Sequence, residues 1–236
     1  MNLFDFGVFV GRLAQDPSYT DATNQAIALL RDPDHFQWYL IPIFVSIFIF
    51  YFSEAEKKNW NVVVAGLFFY GLEWFFEILN SLFLYVHGTS ALWTAPGVNS
   101  ATGVVNSAYV LLVGLNIEIS LMFLFLGIVC AKLLPADKKK KVIGINNRLF
   151  YALMFAILCV IVEIILNFWD ALIWEYRWWN WYNPILIILL AYSPLIFFSY
   201  KVYDMGTLKK KVIATAMMYA VDIILLVVFI GVLGWI

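Results

Sequence analysis

Charge is scarce in this chain: only 13% of its 236 residues are Asp, Glu, Lys or Arg, about half the share found in soluble domains. That scarcity, beside so much apolar sequence, excludes a disordered chain. Two cysteines exclude a disulfide scaffold, and a formal net charge of -1 without a basic face excludes a nucleic-acid partner. Several chemistries are missing as well. There is no Gly-rich phosphate loop, no nucleophile elbow, no paired Asp-rich motif for a diphosphate with Mg²⁺, and no Lys inside the last apolar run for a Schiff base. What the chain has instead is 64% hydrophobic residues, 19% of all residues being aromatic. The class that remains is a multi-pass integral membrane protein, an all-α polytopic helical bundle.

A helix rising about 1.5 Å per residue crosses a core of about 30 Å in about 20 residues. Six apolar stretches qualify: Gln37–Phe52, Asn61–Val86, Val105–Ala131, Asn147–Trp169, Pro184–Tyr200 and Val212–Ile236. Counting Arg148, in the first turn of the fourth run, with the loop before it, the seven segments around them hold 2, 2, 0, 6, 1, 4 and 0 Lys and Arg. Six crossings therefore put 12 of the 15 basic residues on one side, which the positive-inside rule makes cytoplasmic. The loops 53–60, 132–146 and 201–211 are then cytoplasmic and both termini lie outside. A seventh crossing in the middle of the chain would scramble this pattern.

Residues 1–36 are an extramembrane or interfacial segment and 37–236 the transmembrane domain. Asp5, Arg12 and Asp16 interrupt the apolar start, and no cleavage site follows a continuous apolar region. Asp21–Arg31 reads as a short helix on the membrane surface, and Thr89–Gly103 as an external loop. Lys138 to Lys141 set orientation and face the anionic inner leaflet. Trp169, Trp174, Tyr176, Trp178, Trp179, Trp181 and Tyr182 form an aromatic belt at the outer boundary, part of which can roof a cavity. Cys130 and Cys159 read as small packing groups within spans.

Acids inside a span cost about 2.5–3.5 kcal/mol each at the helix centre, which makes them functional candidates by default. Glu73, Glu118 and Asp222 fall near the middle of their spans, Glu77 and Glu163 further out, and Asp170 at the boundary. Glu73, Glu77 and Asn80 share the spacing i, i+4, i+7 with Glu163, Asn167 and Asp170. Each set makes one stripe along its helix, and the two helices cross in the same direction. The two stripes read as walls of one polar pocket in the outer half of the bilayer, edged by Trp74, Phe75 and Phe76. Asn116 and Glu118, two positions apart, point to opposite sides, with Glu118 favoured for the pocket. No Lys or Arg sits at mid-span to neutralise these acids. They are protonated, hold a cation, are hydrated, or only tie helices together.

Three functional readings follow. A neutral carboxylic acid among aromatic faces can protonate a greasy substrate and stabilise a carbocation, with Glu73 and Asp222 as acid and base. Glu118 joins them as a third catalytic candidate, while Glu77, Asn80, Glu163, Asn167, Asp170, Trp74 and Asn116 line the substrate. Here the stretch FSEAEKKNWNVVVAGLFFYGLEW, ending at Glu73 and Trp74, resembles the corresponding region of the integral-membrane terpene cyclases of meroterpenoid and indole-diterpene pathways. Asp222 in YAVDIILLV would match that family's acid in the last helix. The resemblance covers two helices and one further residue, and it implies metal-free acid-initiated cyclisation of an isoprenoid by Glu73 and Asp222. That family has seven crossings, whereas the charges here give six.

In the second reading Glu73, Glu77, Glu118, Glu163, Asp222 and His87 are hard ligands for Mg²⁺, Ca²⁺ or Mn²⁺. No Glu-x-x-His, His-Glu-x-x-His or Cys pair accompanies them. His35 and His87 read as solvated interfacial residues, and the first reading needs no cofactor. In the third, the acids carry protons or cations as in a transporter, for which six helices in one copy would need to oligomerise. An accessory subunit contacting a partner is a bland fourth. The expected partners are membrane lipids and a hydrophobic small molecule.

Overall fold

Wherever an apolar run was expected to cross, the computed structural model has a helix; it describes residues 16–97 and 107–236. Asp5, Arg12 and 98–103 of the expected external loop lie outside the described residues. The elements are α1 (Asp21–Ala28), α2 (Leu40–Glu56), α3 (Trp60–His87), a hairpin of β1 (Val110–Leu112) and β2 (Leu115–Asn116), and α4 (Ile117–Leu133). A second hairpin, β3 (Lys141–Val142) with β4 (Ile145–Asn146), leads into α5 (Asn147–Phe168). A π-helical stretch, Ile187–Tyr192, runs into α6 (Ser193–Tyr203), and α7 (Leu208–Leu226) runs into a second one, Val227–Val232. Among the described residues three helical segments are long and apolar enough to cross a membrane: Trp60–His87, Asn147–Phe168 and Leu208–Val232.

The outermost helix is inside-out relative to a soluble one. The buried residues of α7 are Lys211, Thr215 and Asp222, all polar, while Val212, Ile213, Met217, Val221, Ile223 and Ile224 face outward. Water would penalise that surface and a hydrocarbon solvent does not. Polar groups gain most by turning toward other helices. The Tyr219 hydroxyl accordingly donates to the Leu67 carbonyl on α3 at 3.0 Å, while the buried Thr215 hydroxyl is satisfied within its own helix by the Lys211 carbonyl at 3.0 Å.

At the centre α3 packs against α4 through two glycines. A Cβ on Gly127 would stand 2.6 Å from the Gly66 carbonyl oxygen, and one on Gly66 would stand 3.0 Å from the Ile128 backbone. Only residues without side chains allow backbones so close, the usual way membrane helices gain contact. Phe69 and Phe123 stack beside this crossing at 6.2 Å between centroids.

One expected span is corrected. Val105–Ala131 is not a continuous helix, because 110–116 is a buried hairpin turning at Val113–Gly114. Helix α4 begins only after Asn116, whose side chain accepts from the Ile119 amide as N-cap. The run is apolar throughout, so hydropathy alone cannot separate strand from helix there. Residues Asp21–Ala28 do form a helix, but it is packed into the protein, with Ala26 and Ile27 buried against Leu84, Ala91 and Val113.

The two ends of the bundle differ. One is a cap woven from the segments around α1, 88–97, the β1–β2 hairpin and 170–183: Thr94 and Ile173 exchange backbone hydrogen bonds, Ala95 N donates to Val113 O, and Arg31 N to Val110 O. The other carries the lysines. There Arg148 pairs with Asp204 through two hydrogen bonds of 2.9 and 2.7 Å, and Lys132 reaches buried Glu54 at 2.7 Å.

Candidate functional site

Beneath the cap, α3, α5 and the π-helical stretch enclose a cavity of about 40 Å³. Glu73, Glu77 and Glu163 line it, together with Phe76, Trp93, Phe123, Trp179 and Tyr192. It exceeds the roughly 10–15 Å³ that one water or hydroxyl group requires. Successive turns of α3 bring Glu73 and Glu77 to it, and α5 brings Glu163. Tyr192 arrives by a different device: Pro194 has no amide to donate, the backbone relaxes to i→i+5 bonding, and Ser193 N donates to Ile188 O.

The carboxyl groups are held unequally. Neither oxygen of Glu73 has a hydrogen-bond partner, although the residue is buried. Glu77 Oε1 accepts from Trp93 Nε1 at 2.8 Å, while its Oε2 is unpaired. The Tyr192 side chain is the nearest polar neighbour of Glu163. Trp179 Nε1, on the same cavity, is a buried donor without an acceptor. Glu77 lies within electrostatic reach of both Glu73 and Glu163, so the three acids form a chain. Asp222 on α7 is a further electrostatic neighbour of Glu73. It does not line the cavity, and both of its oxygens are buried without partners.

Other expected site residues have local structural work. Asn80 Oδ1 accepts from the Leu92 amide at 2.8 Å and its Nδ2 donates to the Trp93 carbonyl at 2.7 Å. It thereby pins the loop that delivers Trp93. Asn167 donates to the Leu172 carbonyl at 2.9 Å just past the end of α5, and Asp170 adopts φ 55° in that same turn. Trp74 faces a separate groove beside Tyr70, Leu40 and Phe44. Asn116 is the N-cap of α4 rather than a lining residue.

Glu118 needs the clearest correction. It occupies the first turn of α4 rather than mid-span. Its carboxylate accepts from the Ala108 amide at 2.6 Å, the Ser107 hydroxyl at 2.9 Å and the Tyr39 hydroxyl. It is saturated with donors and stands apart from the cavity, so its place among the catalytic residues and metal ligands does not hold. Among the described residues no three His, Cys, Asp or Glu side chains converge to hold a metal ion. His87 stacks on Phe83 at 5.4 Å and hydrogen-bonds Thr89 Oγ1 at 2.7 Å.

The aromatic belt divides in two. Trp169, Trp178, Trp181 and Tyr182 are exposed, as headgroup anchors are, whereas Trp174 and Trp179 are buried. Trp179 stacks on Trp93 at 6.0 Å, so one ring from each of two cap segments roofs the acids. The roof rests on Gly114, where a Cβ would stand 2.7 Å from both Glu77 Oε2 and Trp93 Nε1 and would also strike Asn80. Trp93, Gly114 and Tyr192 were missed in the sequence. The signals were present: a Trp in a polar loop, a Gly between apolar strands, and a Tyr two residues before Pro194.

Comparison with known proteins places this architecture. Residues 20–231 match a family described as "Uncharacterized membrane protein family". A protein of Archaeoglobus fulgidus, described as "Uncharacterized protein", is 46% identical over 217 residues, spanning 92% of this chain and 99% of that protein. Another from the same organism, with the same description, is 38% identical over 53 residues, which is 22% of this chain and 95% of that protein. No solved structure matches. With the family match running from α1 into the last helix, and a relative aligned over nearly its whole length, this mostly helical chain belongs to that family of membrane proteins.

Proposed function

We propose that the protein is an intramembrane enzyme that rearranges a lipid or isoprenoid by carboxylic acid and base catalysis, in the manner of the terpene cyclases it resembles. The observation that carries this reading is Glu73, buried in a ring-lined cavity with neither oxygen hydrogen-bonded. A carboxyl group without donors suits giving a proton, and one with a tyrosine hydroxyl beside it suits taking it. Glu73 therefore gives and Glu163 receives. The Glu73 O–H bond breaks as its proton adds to an alkene carbon, consuming the π pair and leaving a cation at the adjacent carbon. A second alkene closes the ring onto that cation, and a neighbouring C–H proton passes to Glu163 as a new double bond forms. Glu77, between them, returns the proton to Glu73. Substrate and product are isomers, so no co-reactant or metal is consumed. The faces of Phe76, Trp93, Phe123 and Trp179 stabilise the cation, and Asp222 is a positioning residue that acts on Glu73 through space as an electrostatic neighbour.

The topology proposed with it is six crossings with both termini outside and loops 53–60, 132–146 and 201–211 in the cytoplasm. Its support is that each of the six apolar runs contains a helix, the third only from Ile117 onward, and that 12 of the 15 Lys and Arg fall in or beside the loops 53–60, 132–146 and 201–211. Residues 16–36 then contribute to the outer cap, and the helices after residue 37 make the catalytic bundle.

The test is mass spectrometry of lipid extracts from cells expressing the wild type, Glu73→Gln or Glu163→Gln. An isomerised isoprenoid present with the wild type should fall by about 100-fold or more in each variant, the scale of a lost general acid or base. The variants should purify and melt as the wild type does. Undiminished product in Glu73→Gln, or a variant that no longer folds, would sink the reading.

A further inference from the structure

On the outside of the bundle, between α4 and α5, lies an apolar groove of about 220 Å³ lined by Met122, Phe125, Leu126, Leu158 and Val162 among others. Phe125, Leu158 and Val162 are exposed there, at the depth where the surrounding solvent is hydrocarbon. The groove does not end blindly. Its floor is Phe123 and Tyr192, and these same two rings line the carboxylate cavity on their other side. They stack with centroids 6.1 Å apart and planes 10° from parallel. A pair of rings is thus the partition between the membrane and the acids. Tyr192 shares the cavity lining with Glu163 and has its backbone at the end of the π-helical stretch, where the helix is least regular.

We propose that this groove is the tail-binding site and lateral entrance for a hydrocarbon-chain substrate, with Phe123 and Tyr192 as the partition that swings aside to admit its reacting end. The inference rests on the enzyme reading above and supplies its substrate route. The occupant follows from the surroundings: the walls offer an apolar chain contact along their length, and the one polar feature at the floor, Tyr192, leads to the acids. Entry from outside would have to cross the Trp93–Trp179 roof and its hydrogen-bonded loops, whereas entry from the bilayer requires only side-chain rotation.

The experiment is photolabelling of the full chain in phosphatidylcholine nanodiscs with a diazirine derivative of geranylgeraniol, adducts being mapped by mass spectrometry. Adducts should concentrate on 122–129 and 155–162. They should fall about tenfold, equivalent to about 1.4 kcal/mol, in Leu158→Trp, which fills the groove from its lipid-exposed side; Val162→Trp repeats the test if that variant does not fold. Phe123→Ala should carry label through to the peptides bearing Glu73 and Glu163. Label spread equally over α2 and α7, label displaced equally well by added phosphatidylcholine, or a second copy of the chain crosslinked across α4 and α5 would each overturn the proposal. Labelling needs no turnover, so a tail site that survives alongside an active Glu73→Gln would fail the catalytic reading and leave the entrance standing.

Discussion

A charge held inside a bundle is worth most where its partner cannot be replaced by water. The Arg148 side chain is 7% exposed and that of Asp204 24%, and the guanidinium also donates to the Pro135 carbonyl and Asn147 Oδ1. Asp204→Ala strands that guanidinium. Thermal unfolding in detergent should show a loss of about 3 kcal/mol, the lower end for a broken buried pair because Asp204 keeps some contact with water. Gly114 acts by what it lacks. Gly114→Ala drives a methyl group into Glu77, Asn80 and Trp93, at about 1–3 kcal/mol for an overpacked site, and should remove product along with stability. At this scale the sequence was half legible. Glu73, Glu77 and Glu163 stood out because intramembrane acids are rare, and these three carboxyl groups line one cavity while Asn80, Asn167 and Asp170 of the same stripes do not. Asn80, Asn167 and Asn116 shared that polarity but serve loops and a cap, and spacing along a helix cannot tell a ligand-facing amide from one that pins its own turn. Trp93 and Tyr192 escaped notice because aromatic residues are everywhere in this chain.

The helices themselves were readable, since an apolar run of span length has little else to become. The β1–β2 hairpin was not. Its residues are as apolar as the helix that follows, and only Gly114 and Asn116 mark the break. How close two helices approach was also hidden in composition. The α3–α4 crossing depends on Gly66 and Gly127, whereas Gly231 has nothing within 4 Å of where its Cβ would lie. Gly127→Ala should therefore destabilise by about 1–3 kcal/mol, while Gly231→Ala, in the outward-facing π-helical stretch, should leave the melting temperature within error. Equal shifts from both substitutions would mean that the close approach contributes nothing particular.

Across the whole molecule the acids come from helices far apart in the chain, and this has a consequence for biogenesis. Helix α3, with Glu73 and Glu77, is synthesised long before α5 and α7 bring Glu163 and Asp222. The best 18-residue window within it has a mean hydropathy of 1.8, against 2.8 within Asn147–Phe168 and 2.5 within Leu208–Val232. The least apolar of the three long segments thus reaches the membrane carrying acids whose neighbours do not yet exist, each costing about 2.5–3.5 kcal/mol at mid-depth. A chain ended at residue 146 and tagged with a glycosylation acceptor at 89–90 should insert α3 less completely than the full-length chain. The cavity that shelters these acids in the finished protein is, during translation, a debt that the first half of the chain carries until the second half arrives.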